Sequence, residues 1–436
     1  MTTAARPKAG ITSPGLVFPF IAITTLYFVF GFITNLNMGL VPELKKIFEI
    51  SHLATWQAMM ANFAFFTAYF VFATPTAWLI DRIGYKNTMI VSLLIQVVGA
   101  LLFLPAAQMV SFPLFLAAIF VVGAGVTALQ TAANPYTANL GPEETAPSRL
   151  NLAQAFNSLG GTIAPWVAGT FILTGATLDT DKVSQESADL QHAYQVAIAN
   201  TVRGPYIVVA AVLVVMAIAV AFAHLPHLSV EHKPESEGGV ALDRSIWSFS
   251  HTVFGALGIF IYVGVEVGLA TTMVLYFSDA THGGLNLLTV QAAQKLILFY
   301  WGGALIGRLL APWMLSLCKA GKLLGIFGAA AALMVVIGIV APGYIAVGGL
   351  ILAGFCNSVM FPTIFALGIA GLGPFTSRGS GIITTAVVGG AILPVLIGLA
   401  VDHASYQVAL IIPVLGYLYI AWYGVVGSKP KVTVVA

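Results

Sequence analysis

The sequence predicts an all-α membrane protein of about twelve transmembrane helices, built as two direct repeats of six. Three observations predict it. Hydrophobic residues make up 59% of the 436 and charged residues only 8%, against roughly 25% charged in a soluble domain. Mean hydropathy is +0.95. The apolar stretches recur at the length of roughly 20 residues that crosses a bilayer, and landmarks of the first six return in the last six.

The spans fall at about 16–40, 55–79, 88–106, 112–138, 149–174, 202–224, 247–278, 289–311, 322–341, 345–369, 379–401 and 407–427. They are called spans one to twelve below. A short polar break, Asp402 to Gln407, separates the last two. The polar stretch 225–246 divides a first half, 1–224, from a second, 247–436, and reads as a linker. The stretch 176–200, acidic at Asp179, Asp181, Glu186 and Asp189, reads as a long outer loop, with His192 facing solvent. With the N-terminus inside, 13 of the 18 Lys and Arg lie on the cytoplasmic side; Lys45, Lys46, Lys182, Arg203 and Lys295 lie outside. The positive-inside rule therefore places both termini in the cytoplasm.

Other classes are excluded on composition. A net charge of +2 without a concentrated basic patch gives no nucleic-acid surface. Cys318 and Cys356 sit in or beside apolar stretches, and form neither a disulfide framework nor a metal framework. Residues 1–15 are polar, and the apolar run that follows is too long for the core of a cleavable signal peptide. The eight histidines read as loop or terminal residues, not a metal cluster. No catalytic constellation is visible, so neither an enzyme nor a cofactor is expected, and a two-halves architecture containing its own pathway makes a monomer the default.

The repeat has one spacing. Arg82 and Arg308 lie 226 residues apart. Pro135 and Leu140-Gly141 match Pro362 and Leu367-Gly368 at 227. Arg149, Gly160-Gly161 and Pro165 match Arg378, Gly389-Gly390 and Pro394 at 229. A direct repeat of six spans relates the halves by an axis along the membrane normal, and transporters so built bind substrate near the midplane between them. This is the architecture of the major facilitator superfamily. The repeat also exposes an asymmetry. Asn151, Gln154 and Asn157 share a face of span five, and Gln130 and Asn134 lie a turn apart in span four. Their partners are Ser380, Ile383, Ala386, Asn357 and Phe361, so the first half carries the denser amide wall.

Polar side chains at membrane depth are costly and mark pathways. An amide both donates and accepts without charge, which suits a neutral solute rich in hydroxyls, such as a sugar. Asn35, Gln130, Gln154, Asn157 and Asn357 are therefore the candidate substrate-binding residues. Phe65, Phe66, Tyr69, Phe156, Trp166, Tyr300, Trp301 and Phe361 are aromatics available to a sugar ring, and Asn62, Thr384 and Thr385 are weaker pathway candidates. Glu266 stands out as a carboxylate well inside an apolar span, Gly258 to Phe277. Such a group either takes up a proton or holds a cation, so Glu266 is the candidate ion-coupling residue.

Asp81-Arg82-Ile83-Gly84-Tyr85-Lys86, between spans two and three, resembles the superfamily's gate motif, with Ala77 at a usual glycine position and Tyr85 at a usual basic one. Charges at helix ends form a latch in one state and release it in another. Asp81, Arg82, Arg149, Arg308 and Arg378 are the candidate cytoplasmic gate. The second half has Gly307-Arg308 without the Asp.

From about residue 20 to 425 the chain resembles the fucose permease-like sugar symporters, including bacterial glucose/galactose permeases. The resemblance rests on Asn35-Leu36-Asn37, on Gln130-Thr-Ala-Ala-Asn-Pro135, and on the run from Arg149 through Gln154 to Asn157. The second half adds Tyr262-Val-Gly-Val-Glu266, Phe361-Pro-Thr-Ile-Phe-Ala-Leu-Gly368, and Gly389-Gly390 with Pro394. It implies sugar uptake across a bacterial inner membrane, coupled to a cation, with Asn35, Gln154 and Asn157 facing the sugar. Two acids of the fucose type are absent: Met38 and Gln130 stand in their places. Glu266 resembles the glucose/galactose branch, where the fucose type has Gln. Coupling is thereby expected at Glu266, with Na⁺ slightly favoured over H⁺ because a glutamate with amide and backbone oxygens makes a reasonable sodium cage. The alternative is an uncoupled uniporter, motivated by the missing acids.

Overall fold

The computed structural model describes residues 12, 15–39, 55–171, 188–226 and 245–430. Among them every regular element is helical. Parts of the predicted termini, the segment with Lys45 and Lys46, the loop residues Asp179, Asp181, Lys182 and Glu186, and linker residues 227–244 lie outside the described set. So do the side chains of Asn37, Met38, Asn62, Trp166, Asp189 and His192.

Span one is Val17–Gly39. Spans two and three form one run, Thr55–Gln108, of 54 residues. At about 1.5 Å per residue an unbroken helix of that length reaches about 80 Å, more than twice the hydrocarbon core. Gly84 breaks it: its φ of 78° and ψ of 168° belong to no helix, and glycine reaches that conformation without a Cβ penalty. Spans two and three are therefore 55–83 and 85–108, and the connection is a single residue rather than the predicted loop. Just beyond the break, Lys86 Nζ donates to the carbonyls of Ala221 (2.7 Å) and Ala223 (2.9 Å), capping the carbonyl end of span six.

Span four is Phe112–Ala138 and span five Ala146–Phe171. Span six begins earlier than predicted, running Ala188–Phe222 and taking in residues expected in the outer loop. Spans seven to nine are Ser250–Ser278, Val290–Leu317 and Ala320–Val340. Span eight therefore runs several residues past its predicted end at 311, so that Arg308 stands well inside it rather than near its end. Span ten is two helices, Gly343–Asn357 and Met360–Ile369, broken at Ser358 and Val359. Span eleven is Thr376–Thr385 and Gly389–His403, joined by a tighter turn, Ala386–Val388. Span twelve runs from Tyr406 to Trp422 and ends in a short π-helix, Tyr423–Gly427.

Packing repeats as the sequence does. Span one lies on span five, and span seven on span eleven. In the first pair a Cβ at Gly31 would sit 2.0 Å from the Asn157 carbonyl oxygen; in the second, one at Gly389 would sit 2.0 Å from that of Phe260. Small residues let the backbones touch, which replaces the hydrophobic drive that lipid cannot supply. Large apolar side chains such as Phe18, Phe70, Val215, Phe222 and Leu298 project outward, as a lipid-facing surface requires.

Candidate functional site

The second half gathers its polar groups around Glu266, which is buried in span seven. Tyr262, one turn earlier, donates from its hydroxyl to Glu266 Oε1 at 2.7 Å. The same hydroxyl lies 3.1 Å from the Asn357 carbonyl. Tyr300 of span eight donates to the Glu266 backbone carbonyl at 3.3 Å and accepts from Asn357 Nδ2 at 2.6 Å. Arg308 Nη2 stands 3.8 Å from Glu266 Oε1, and its Nε donates to the Ser358 carbonyl at 3.2 Å. That carbonyl lies at the break in span ten. Glu266 is thus not a lone charge in the membrane. Arg308, read from the sequence as a cytoplasmic gate residue, is buried inside span eight and stands as the cation nearest the carboxylate. The expected preference for sodium finds no support in this arrangement, because one side of the carboxylate already faces a guanidinium and like charges repel.

The first half presents amides. Gln130, on span four, borders a narrow crevice with Leu26, Tyr27, Phe30, Leu129 and Ala133. Gln130 Oε1 and Gln154 Nε2 are buried and find no hydrogen-bonding partner among the described residues. Buried polar atoms are almost always paired, so these two, like Asn357 Oδ1 in the second half, are open to a ligand. Asn35 is half-buried and donates to the Gly31 carbonyl of its own helix at 2.9 Å. Asn157 is half-buried and donates to the Tyr27 carbonyl at 3.4 Å. Asn134 is committed to structure, accepting from the Tyr27 hydroxyl at 2.6 Å.

The halves meet at one end of the bundle, where spans two, four, eight and ten finish and spans five and eleven begin. Asp81 accepts from Ser377 Oγ, and its Oδ2 lies 3.7 Å from Arg378 Nε. Glu143 Oε1, in the connection between spans four and five, accepts from the Gly371 backbone N–H at 2.9 Å. Ser380 donates to the Thr131 carbonyl at 2.8 Å, and Asn151 Nδ2 to Thr363 Oγ1 at 3.3 Å. Nearer the middle, the Thr74 and Thr385 hydroxyls approach to 3.3 Å, and Arg308 Nη1 donates to Ser158 Oγ. Asn151, grouped with Gln154 and Asn157 by helical spacing, is therefore used for closure.

Arg308 aside, the expected gate residues separate into three places. Asp81 and Arg378 meet across the halves. Arg149 is fully buried and donates to the carbonyls of Thr137 (3.1 Å), Gly141 (3.2 Å) and Pro142 (2.9 Å), to that of Ala138, and to Thr145 Oγ1 (2.7 Å), all in its own half. These bonds cap the carbonyl end of span four. Arg82 is exposed. His251, expected in a loop with the other histidines, is buried in the first turn of span seven, its Nε2 2.9 Å from the Ala370 carbonyl.

Sequence reasoning missed Ser158 and Ser358, and with them the break in span ten. A serine is too common in apolar helices to signal a role. Tyr262 carried a usable signal, since it precedes Glu266 by four residues and so shares its face.

The model of the Major Facilitator Superfamily matches residues 23–393. A glucose/galactose transporter of Brucella abortus (strain 9-941) is 40% identical over 412 residues, 94% of each chain. The L-fucose-proton symporter of Escherichia coli (strain K12) is 30% identical over 412 residues, 94% of this chain and 92% of that one. The crystal structure of a major facilitator transporter, FucP, in the outward conformation superposes with a TM-score of 0.84 at 29% identity, covering 94% of this chain and 98% of the other. The protein is a multi-pass membrane protein of a transporter family rather than an enzyme family, and belongs to the major facilitator superfamily, in the branch that unites glucose/galactose transporters with L-fucose-proton symporters.

Proposed function

We propose that this protein moves a neutral monosaccharide, a hexose or hexose derivative, across the membrane together with a proton, by alternating access between its two six-span halves. The carrying observation is the Glu266 carboxyl held between Tyr262 and Arg308 inside the bilayer. The Tyr262 hydroxyl has one proton and two acceptors in reach. A proton on Glu266 completes the set: Glu266 then donates to Tyr262, and Tyr262 to Asn357. The arrangement thus has a place for one proton that can be loaded and lost. Glucose/galactose transporters and a proton symporter among the relatives support the substrate class and the ion.

Gln130 and Gln154 offer one free acceptor and one free donor to sugar hydroxyls. Asn35, Asn157 and Asn357 exchange their present hydrogen bonds for sugar contacts. Closure at the end bearing Asp81, Glu143 and Arg378 corresponds, with both termini cytoplasmic as the Lys and Arg bias indicates, to a state shut toward the cytoplasm. The protein then works in a bacterial inner membrane, as a monomer.

The test is uptake of labelled glucose and galactose into proteoliposomes under separately imposed H⁺ and Na⁺ gradients. Accumulation above equilibrium is expected with an inward proton gradient alone. Glu266→Gln should abolish accumulation and leave exchange of labelled sugar. Saturable uptake indifferent to both gradients and to the substitution would make the protein an uncoupled facilitator, and accumulation driven by Na⁺ alone would remove the proton from the cycle.

A further inference from the structure

Arg308 belongs to the second half by sequence but is bonded to both. Its guanidinium faces Glu266 on span seven and Ser358 on span ten with two of its nitrogens. The third reaches Ser158 on span five, across the boundary between the halves. Ser158 is one residue from Asn157 and donates in turn to the Gln154 carbonyl at 3.0 Å. A single side chain therefore joins the candidate ion site of one half to the amide-bearing helix of the other. Its contact with Ser158 lies among those that must break when this end opens.

We infer that Arg308 is a positioning residue that ties proton release from Glu266 to the parting of the halves, with Ser158 as the group that holds it back. The inference rests on the proton-symport reading above. In the closed arrangement Ser158 and the Ser358 carbonyl hold the guanidinium 3.8 Å from Glu266 Oε1, beyond hydrogen-bonding distance. The carboxyl is then only partly neutralised by its cation and accepts a proton. When the halves separate at this end, Ser158 leaves with span five. Freed from it, the guanidinium closes on Glu266 and forms charge-assisted hydrogen bonds. The Glu266 O–H bond breaks, the proton passes to water on the side just opened, and the carboxylate left behind pairs with Arg308, whose own charge does not change.

The groups facing Glu266 fit this role. Tyr262 lies on its own span and Tyr300 and Arg308 come from span eight, while Asn357 of span ten bonds both tyrosines and Tyr417 of span twelve stands behind them. Among the described residues Arg308 is the one charged group of this set, so movement of its charge dominates the ionisation of the carboxyl. The coupling has a stated direction: a state that keeps Ser158 against Arg308 favours protonated Glu266, and a state that removes it favours the carboxylate.

The experiment compares wild type with Ser158→Ala, Ser158→Thr and Glu266→Gln in proteoliposomes, measuring sugar accumulation against external pH. Ser158 is half-buried, so its alanine variant is suited to folding. Ser158→Ala lets Arg308 rest on Glu266 in every state. The external pH for half-maximal accumulation should then move about one unit more acid, a tenfold change in proton concentration, with the acid plateau retained. Ser158→Thr keeps the hydroxyl and should follow wild type. A second readout is an infrared titration of the carboxyl band that Glu266→Gln removes, whose midpoint should move the same way in Ser158→Ala. An unmoved profile and an unmoved band in Ser158→Ala, or an equal loss at every pH in both serine variants, overturns the inference. The two failures are distinct: Glu266→Gln that still accumulates sugar defeats the symport reading itself, whereas Glu266→Gln that does not, beside an unmoved Ser158→Ala, defeats only the role of Arg308.

Discussion

Asp81 and Arg378 meet across the boundary between the halves, with Asp81 Oδ2 3.7 Å from Arg378 Nε. The repeat counterpart of Arg378 is Arg149, which turns inward onto the carbonyls of its own half. The counterpart of Asp81 is Gly307, which has no side chain to offer. The Asp81–Arg378 latch between spans two and eleven thus has no carboxylate in the matching place of the second half. Arg378 is half-exposed, so solvent screening limits the ion pair to about 0.2–1 kcal/mol. Asp81→Asn should shift the balance of states toward opening at this end by up to about fivefold. Spin-label distances between spans two and eleven check this; an unchanged distribution removes Asp81 from the latch.

Arg149→Gln should be far more damaging than Arg378→Gln. Arg149 satisfies carbonyls at the end of span four in a fully buried place. Its loss strands several acceptors, at about 1–3 kcal/mol for a buried unsatisfied group. A thermal-unfolding assay in detergent should show a large loss for Arg149→Gln and a small one for Arg378→Gln. Equal losses would contradict the division of roles.

Gly31→Ala should destabilise the first half, because the new methyl would meet the Asn157 carbonyl oxygen at 2.0 Å and backbone must shift. Overpacking of this kind costs typically about 1–3 kcal/mol. Gly204→Ala, with nothing within 4 Å of its Cβ, is the control and should change stability by no more than about 0.5 kcal/mol. Comparison of the two melting curves decides it.

Gln130→Ala and Gln154→Ala should each weaken sugar binding by about 3- to 10-fold, the worth of one neutral hydrogen bond at about 0.5–1.5 kcal/mol. Neither should lower thermal stability much in the absence of sugar, since the atoms in question have no protein partner to lose. Equilibrium binding of labelled sugar together with a melting curve tests both statements. Asn134→Ala should behave in the opposite way, losing stability through the broken contact with Tyr27.

The fold was legible because lipid imposes it. A chain must satisfy its backbone internally to cross a bilayer, so each span is written as a long apolar run, and the repeat is written in residues that packing requires, such as Gly160 and Gly389. Glu266 and the amides were legible because polarity at that depth is rare. Arg308 was misplaced because an arginine near the end of an apolar run looks like an interfacial anchor; only the partners on spans five, seven and ten reveal its depth. The capping roles of Lys86 and Arg149 were hidden for a similar reason. A basic residue at a helix end satisfies the positive-inside rule whether it faces headgroups or carbonyls, and sequence does not distinguish the two. The break in span ten did leave a local mark, Pro362, which has no N–H for the Ser358 carbonyl four residues earlier, but that proline served as a repeat landmark; the turn in span eleven, Ala386–Val388, contains no proline.

The clasp of Arg149 on span four has a consequence for how the chain enters the membrane. Span five carries Arg149, Asn151, Gln154, Asn157 and Ser158 within its first half, and such a helix gains little by leaving a translocation channel for lipid alone. Folded back on span four, it arrives with its arginine already covered by carbonyls and its glycines ready for span one. Spans four and five are therefore expected to enter the bilayer as one hairpin, the polar helix covered by its neighbour.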